Sequence, residues 1–402
     1  FTKIILFVSC SEFELVCTLI VFLRSLNLLG GIVVLPLTLL PLASDDFSPA
    51  SIILFPVLSS YYHLFYTDVW ATIFVVMSLV LVLKQPLGFK FSNWLSSILL
   101  WISLWFRQTN VLWVIFVAVF VIEHSYRAKL ALRKKPSLKS TPVFTYLYGF
   151  MTEALRNLLI LIPYGLVVVS FGLFVHFNGG ITLGDKENHQ LNLHFVQVFY
   201  CFSFIAVLSW PVWFSKTSIT DYISSSFGSL KRILFTAVWF FCIKFIIDNY
   251  TVVHPFLLAD NRHFTFYIWR KILSKPYSFI LTIPFYHFSI FTLFNSLWGN
   301  TVSIWRPRKN ESLQMGPVLL LGFFAITCAT IIPSPLFEPR YYILPMLVFR
   351  LFTVSRSEYL VNCQRKTIEC GWYFLVASSV MTIFLVYEFN WATEAAPQRI
   401  IW

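Results

Sequence analysis

Apolar residues run along this chain in blocks, with polar residues gathered into short clusters between them. A hydrocarbon core about 30 Å thick requires roughly 20 apolar residues in a spanning helix. Stretches near that length run from Tyr61 to Leu83, Leu158 to Phe177, Phe195 to Phe214, Ile233 to Ile247, Tyr277 to Trp298, Gly316 to Pro333 and Trp372 to Tyr387. Shorter ones at Trp94 to Phe106, Val111 to Ile122 and Tyr341 to Phe352 need flanking residues to cross. The first forty residues are apolar but interrupted by Glu14, Arg24 and Gly30-Gly31, which leaves one long helix or two shorter ones open. The pattern predicts roughly ten to twelve spans. They form one membrane body over residues 1 to 402, without an internal repeat or a low-complexity tract.

Composition agrees with the pattern. With 58% hydrophobic, 19% aromatic and only 12% charged residues, and a mean hydropathy of +0.74, the chain reads as an all-α polytopic membrane protein embedded in a lipid bilayer. A net charge of +12 raises nucleic acid as a partner, but the positions of the charges exclude it, because they sort by membrane side. The loops at 84 to 93, 124 to 141, 215 to 232, 298 to 314 and 354 to 371 carry 2, 6, 3, 3 and 3 Lys plus Arg. The alternate loops at 107 to 110, 178 to 194, 248 to 276 and 336 to 340 carry 1, 1, 4 and 1. The first set is expected on the cytoplasmic side and the second in the lumen. The same parity treats Trp94 to Ile122 as a hairpin bent at Arg107-Gln108-Thr109-Asn110, since one long helix would put a basic loop in the lumen.

Five mixed polar clusters fall on the expected luminal side: Tyr66-Thr67-Asp68, Arg107 to Asn110, Gly184 to His189, Asp260 to His263, and Glu338-Pro339-Arg340-Tyr341. Polar groups near a bilayer are expensive and usually serve function. Each cluster also has a plainer reading. Asp68 suits a helix N-cap. Asp185 suits a solvated turn after Gly179-Gly180. Asp260 could cap a helix running towards Trp269, with His263 and Tyr267 sharing one face. Glu338 and Arg340 could form a structural ion pair in a turn, and Lys244 with Asp248, one helical turn apart, is expected to be such a pair. Asp260, Asn261, Arg262 and His263 exceed what a cap needs.

The chain lacks GxxxxGK[ST], HExxH, GxSxG and a strand-borne GxGxxG, which excludes the familiar nucleotide-binding and protease chemistries. Seven cysteines at 10, 17, 201, 242, 328, 363 and 370 show no spacing for zinc, haem or a disulfide framework. Asn249-Tyr250-Thr251 is a sequon on the expected luminal side, and Asn310-Glu311-Ser312 lies on the other. The chain opens on Phe1 without a charged n-region, so its natural start is expected upstream.

Six motifs carry a resemblance: Phe-Tyr-Thr-Asp (65 to 68), Phe-Arg-Gln-Thr-Asn (106 to 110), Gly-Asp-Lys-Glu-Asn-His (184 to 189), His-Pro-Phe-Leu-Leu-Ala-Asp-Asn-Arg-His-Phe-Thr-Phe-Tyr (254 to 267), Glu-Pro-Arg-Tyr-Tyr-Ile-Leu-Pro (338 to 345) and Gln-Arg-Ile-Ile-Trp (398 to 402). In this order the chain resembles the endoplasmic-reticulum α-1,2-glucosyltransferase family. The resemblance implies a multi-pass endoplasmic-reticulum membrane enzyme of the GT-C glycosyltransferase type with a luminal active site. Such an enzyme moves glucose from dolichyl-phosphate glucose onto the dolichol-linked oligosaccharide, adding the third, terminal glucose for N-glycosylation. GT-C enzymes take an acidic residue from an Asp-Glu-x-Phe-His-like stretch in the first luminal loop. None occurs here, so that acid is expected before Phe1.

A β-linked donor and an α-linked product imply one inversion at the anomeric carbon. A carboxylate must take the proton of the attacking 2-hydroxyl, and cations must meet the charge on the departing phosphate. Asp68 is the first candidate for the carboxylate, then Asp185 and Asp260. Arg262, His263, Lys186 and Arg340 are the candidates for the phosphate, with arginine favoured for its fork of donors. Arg107, Gln108, Asn110, His189, Asn261, Tyr267 and Glu338 are candidate substrate contacts. No metal or other cofactor is expected. Two other classes fit the composition. A transporter or channel would show paired repeats and midplane charges, and a membrane scaffold would leave the luminal clusters unexplained.

Overall fold

The computed structural model describes residues 10–43, 48–83, 90–132, 143–182, 192–302, 315–353, 362–392, 394 and 396–402. The chain enters on α1 (Cys10–Leu29), passes a π-turn at Gly30–Val34, and continues through α2 (Leu35–Leu39) into a 3₁₀ turn at Leu40–Leu42. The ambiguous N-terminal region is therefore one continuous run, of which Leu19–Leu42 is long and apolar enough to cross a membrane. The glycine pair explains the π-turn. A Cβ on Gly31 would strike the ring of Tyr62, and one on Gly30 would press on Ile73 and Trp70, so only glycine allows this approach.

Next come α3 (Pro49–Ile53), α4 (Pro56–Tyr61), α5 (Asp68–Leu83), α6 (Lys90–Phe106) and α7 (Val111–Leu132). α5 is apolar all round and buried on most of its surface, as a helix at the centre of a bundle must be. Arg107 takes an extended backbone, φ −148°, and a 3₁₀ turn at Gln108–Asn110 follows, so the expected hairpin at Arg107 to Asn110 is present. α5 and α6 are pinned by Ser78 Oγ to Ser96 Oγ, 2.7 Å, and Tyr164 of α9 (Leu158–Asn178) reaches the same Ser96 at 3.0 Å.

Two expected loops prove to be helical over most of their described residues, residues 133–141 lying outside them. Within 124 to 141, α7 continues to Leu132, and a further helix, α8 (Val143–Arg156), follows. The basic residues that marked a loop are compatible with helix, and Lys129 pairs with the buried Glu153 of α8 at 2.5 Å. Within 215 to 232, Ser215 accepts the Ser218 amide at 3.0 Å and starts α12 (Lys216–Phe227), after α10 (Val196–Leu208) and α11 (Trp210–Trp213). Serine at an N-cap outweighed the polar composition. The remaining elements are α13 (Leu230–Tyr250), the short α14 (Pro255–Ala259) and α15 (Phe264–Ile268), then α16 (Phe279–Val302), α17 (Pro317–Ile331), α18 (Ile343–Phe352), α19 (Asn362–Val386) and a hairpin of β1 (Glu388–Phe389) and β2 (Gln398–Arg399).

Among the described residues, five helices are long and apolar enough to cross a membrane and four shorter ones are apolar. α13 carries Lys231, Arg232, Lys244 and Asp248, and α18 has ten residues, so these two stand beside that set. Large apolar side chains point outward, among them Leu159, Leu166 and Leu173 on α9, Phe235 and Phe241 on α13, and Phe374 and Leu385 on α19. An apolar exterior is what a lipid environment selects. Lys244 and Asp248 pair as expected.

The two ends of the bundle are built differently. At one, the Glu123 carboxylate accepts the amides of Val318 and Leu319 (3.0 and 2.8 Å), capping α17, and Arg350 pairs with Glu369 in full burial. At the other, the segment after α9 docks on the one after α17 through Asn192 N to Pro333 O and His194 N to Ile332 O. Gln197 then bridges Leu336 O and the Tyr342 hydroxyl, at 2.6 Å each. This second end gathers four of the five polar clusters; Gly184 to His189 lies outside the described residues.

Candidate functional site

Asp68 opens α5, and its side chain is 3% exposed. Its Oδ1 meets Arg107 Nη2 at 2.7 Å, so the carboxylate pairs across to the bend of the α6–α7 hairpin instead of capping its own helix. The loop ahead of Asp68 is held by a residue absent from the sequence-based candidates. Asn27 of α1, buried, gives its amide to Leu64 O (2.7 Å) and Tyr66 O (2.8 Å). An asparagine within a membrane helix was the only signal available, and it was passed over.

Arg107 also lies 5.6 Å from the Tyr341 ring, and Arg340 approaches the same ring at 5.5 Å. Arg340 is ion-paired with Glu338 in the turn, as the plainer reading expected. Asp68, Thr72, Arg107, Asn110, Arg340 and Tyr341 line one cleft of about 350 Å3, its mouth included. Asn110 is buried there, with only a long 3.4 Å contact to Ala71 O, and Gln108 sits half-buried at the bend. Within the cleft, Asp68 Oδ2 and Arg107 Nε are buried without a hydrogen-bond partner among the described residues. Each such atom costs about 1–3 kcal/mol, and neighbouring unsatisfied groups of opposite sense mark a place for a ligand.

The second cluster is Asp260 to His263, between α14 and α15. Asp260 accepts the Arg262 backbone amide at 3.0 Å and, in a fork, Arg262 Nε at 2.9 Å and Nη2 at 2.8 Å. It does not cap the following helix. Burial alone would raise the Asp260 carboxyl, but the Arg262 side-chain and backbone donors outweigh it and hold it below the usual carboxylate range. The same bond to Asp260 raises Arg262. Arg262 lies 4.6 Å over Trp391, with Nη1 3.3 Å from Gln398. Asn261 accepts the Trp391 indole N–H at 2.8 Å, and His263 Nδ1 lies 2.9 Å from the Trp402 carbonyl, not turned to Tyr267. Tyr267 stands half-buried beside Lys271, 5.9 Å from its ring.

A pair of tyrosines joins the clusters. Tyr61 and Tyr66 stack at 4.7 Å. Tyr61 is within electrostatic reach of Asp68 and Arg340, and Tyr66 of Arg262. The structure thus brings together Asp68, Arg107, Asn110, Glu338 and Arg340, and beside them Asp260, Asn261, Arg262 and His263. Asp185, Lys186 and His189 lie outside the described residues. Among the described residues, no group of three or more His, Cys, Asp or Glu could hold a metal ion. The contribution of the C-terminal residues was missed in the sequence, where Gln398 to Trp402 stood out as a motif without a role.

A relative from Debaryomyces hansenii, named Dol-P-Glc:Glc(2)Man(9)GlcNAc(2)-PP-Dol alpha-1,2-glucosyltransferase, is 42% identical over 397 residues, covering 96% of this chain and 82% of its own length. Relatives of the same name are 36% identical in Candida glabrata (94% of this chain, 77% of theirs) and 31% in Homo sapiens (88% and 72%). No solved structure matches the chain. The model of the DIE2/ALG10 family matches residues 2–351, and the chain belongs to that family.

Proposed function

We propose that this protein transfers glucose from dolichyl-phosphate glucose to the 2-hydroxyl of the terminal glucose on diglucosylated oligosaccharide-diphosphodolichol. The family membership and the name shared by its relatives support the reaction. The observation that carries its location is the pair of unspent groups in one cleft, an acceptor at Asp68 Oδ2 and a donor at Arg107 Nε. A sugar hydroxyl gives a proton to the first, and a phosphate oxygen takes a hydrogen bond from the second. Both atoms are buried, so the cleft opens as substrates enter.

In the proposed step the 2-hydroxyl oxygen bonds to the anomeric carbon as the bond from that carbon to phosphate breaks. The bonding pair leaves with dolichyl phosphate, and the hydroxyl proton passes to Asp68. Charge building on the leaving phosphate is met by Arg107 and Arg340, both held against the Tyr341 ring beforehand. Arg262, whose nitrogens are engaged by Asp260 and Gln398, is assigned with Asn261 and His263 to the acceptor glycan at the rim. We place this end of a GT-C-type bundle in the lumen of the endoplasmic reticulum. Its test is purified protein with both substrates and NMR of the product. A new α-1,2-linked glucose is expected. No transfer by protein that binds both substrates would refute the assignment.

A further inference from the structure

The Asp260 to His263 segment joins two helices of only five residues each, α14 and α15. Helices so short do not stand alone, and the bonds that fix the segment come from more than a hundred residues away. Ile401 donates its amide to Arg262 O at 2.7 Å, and Phe264 donates to Ile401 O at 3.1 Å, forming a parallel bridge of His263 with Ile401. Side chains repeat the arrangement. Trp391 binds Asn261 and underlies Arg262, Gln398 takes Arg262 Nη1, and the Trp402 carbonyl meets His263.

The tail is itself anchored. Trp402 donates its indole N–H to Ser60 Oγ at 3.0 Å, and its ring packs against Phe264 at 5.7 Å and edge-on to Phe204 at 6.5 Å. Ser60 directly precedes Tyr61, which stacks on Tyr66 beside the cleft. The β1–β2 hairpin has a paired charge of its own, Arg399 with Glu388. It offers Arg262 an aromatic face and a neutral amide, and Glu394 in its connection adds a favourable negative charge within electrostatic reach.

We propose that the C-terminal hairpin is a positioning strap, in which Trp391 and Gln398 orient Arg262 and Trp402 ties the 260–263 segment to Ser60 of α4, beside the catalytic cleft. These are positioning residues, since none of them lines the cleft. Their effect on catalysis rests on the reading of Arg262 as an acceptor contact; the hold on the segment does not.

The test uses the full chain in lipid nanodiscs, with kcat and KM for each substrate and hydrogen–deuterium exchange over residues 258–268. Trp391→Ala is expected to raise the acceptor KM about tenfold, the scale of one cation–π contact. Its kcat and donor KM should stay near wild type, and exchange over the segment should quicken. Trp391→Phe keeps a ring under Arg262 and should recover most of the acceptor KM. Gln398→Ala, a milder change, should move the same constant in the same direction and serves if Trp391→Ala does not fold. A fall in kcat alone with both KM values unchanged, or unchanged exchange, would overturn the strap. If Arg262→Ala leaves the acceptor KM unchanged, the acceptor assignment fails instead; quickened exchange in Trp391→Ala then upholds the strap, and unchanged exchange sinks it.

Discussion

Arg107 and Arg262 are both salt-bridged arginines, but their spare valences differ. Arg262 has partners at Nε, Nη1 and Nη2, whereas Arg107 holds Asp68 through Nη2 and keeps a buried Nε without one. That difference decides which cation awaits a ligand, and no reading of residue types could supply it. Asp68→Asn should lower kcat at least about a hundredfold, the scale of a lost general base, with donor binding retained in a filter or calorimetric assay. Near wild-type turnover would reduce Asp68 to an anchor for Arg107. His194 gives a pH prediction. Its ring is 1% exposed, and burial holds the imidazole down at about 4, against an ordinary 6.5. The fold favours the neutral ring, so this contribution is complete above pH 6.5 and is lost as pH falls towards 4. The slope is at most about 1.4 kcal/mol per pH unit. Melting temperature should drop from pH 6.5 to 4.5, and His194→Gln should flatten that part of the profile. A wild-type curve that rises on acidification would contradict the assignment.

At the level of elements, apolar length and helix signals predicted well where one effect dominated. The central runs became helices, and the bend at Arg107 to Asn110 was legible because one long helix would have carried a basic loop to the wrong side of the membrane. Polar stretches were read less well. The last turns of α7 and the whole of α12 looked like loops because charge and serine content weighed more in the reading than the cap at Ser215 or the Lys129 partner at Glu153. Gly30-Gly31 looked like a possible break and proved to be a contact surface. Gly31→Leu should therefore destabilise the protein by about 1–3 kcal/mol, as overpacking does, because its side chain would enter the space of the Tyr62 ring. The check is the thermal midpoint in detergent; an unchanged midpoint would mean α1 can move aside. Glu123→Ala removes both acceptors from the start of α17 and should cost about 1–3 kcal/mol by the same measurement.

For the whole molecule, the alternation of basic and mixed loops and the gathering of polar clusters at one end of the bundle agree with each other. Single cysteines placed in a cysteine-free background at Gly180 and at Gly228 are expected to label from opposite sides of a sealed microsome, Gly228 from outside. Labelling of both from one side would overturn the proposed orientation. The unlike ends fit a one-sided enzyme better than a conduit: α17 is capped by a buried carboxylate at one end, and the polar cleft lies at the other.

The sequence by itself determined that this chain is helical and membrane-embedded, where most of its apolar helices lie, which of its few acids and cations were candidates, and which family it resembles. The helical, membrane-embedded character follows from local composition and periodicity, because a bilayer penalises each polar group separately; the resemblance rests on the six motifs alone. Tertiary structure decided the pairings. Asn27 holding Tyr66, Arg107 holding Asp68, Trp391 beneath Arg262 and Trp402 on Ser60 join residues 39 to 342 positions apart in the chain. Such partnerships depend on which helices pack together, and packing is set by the shape of the whole assembled bundle, not by any one stretch of it.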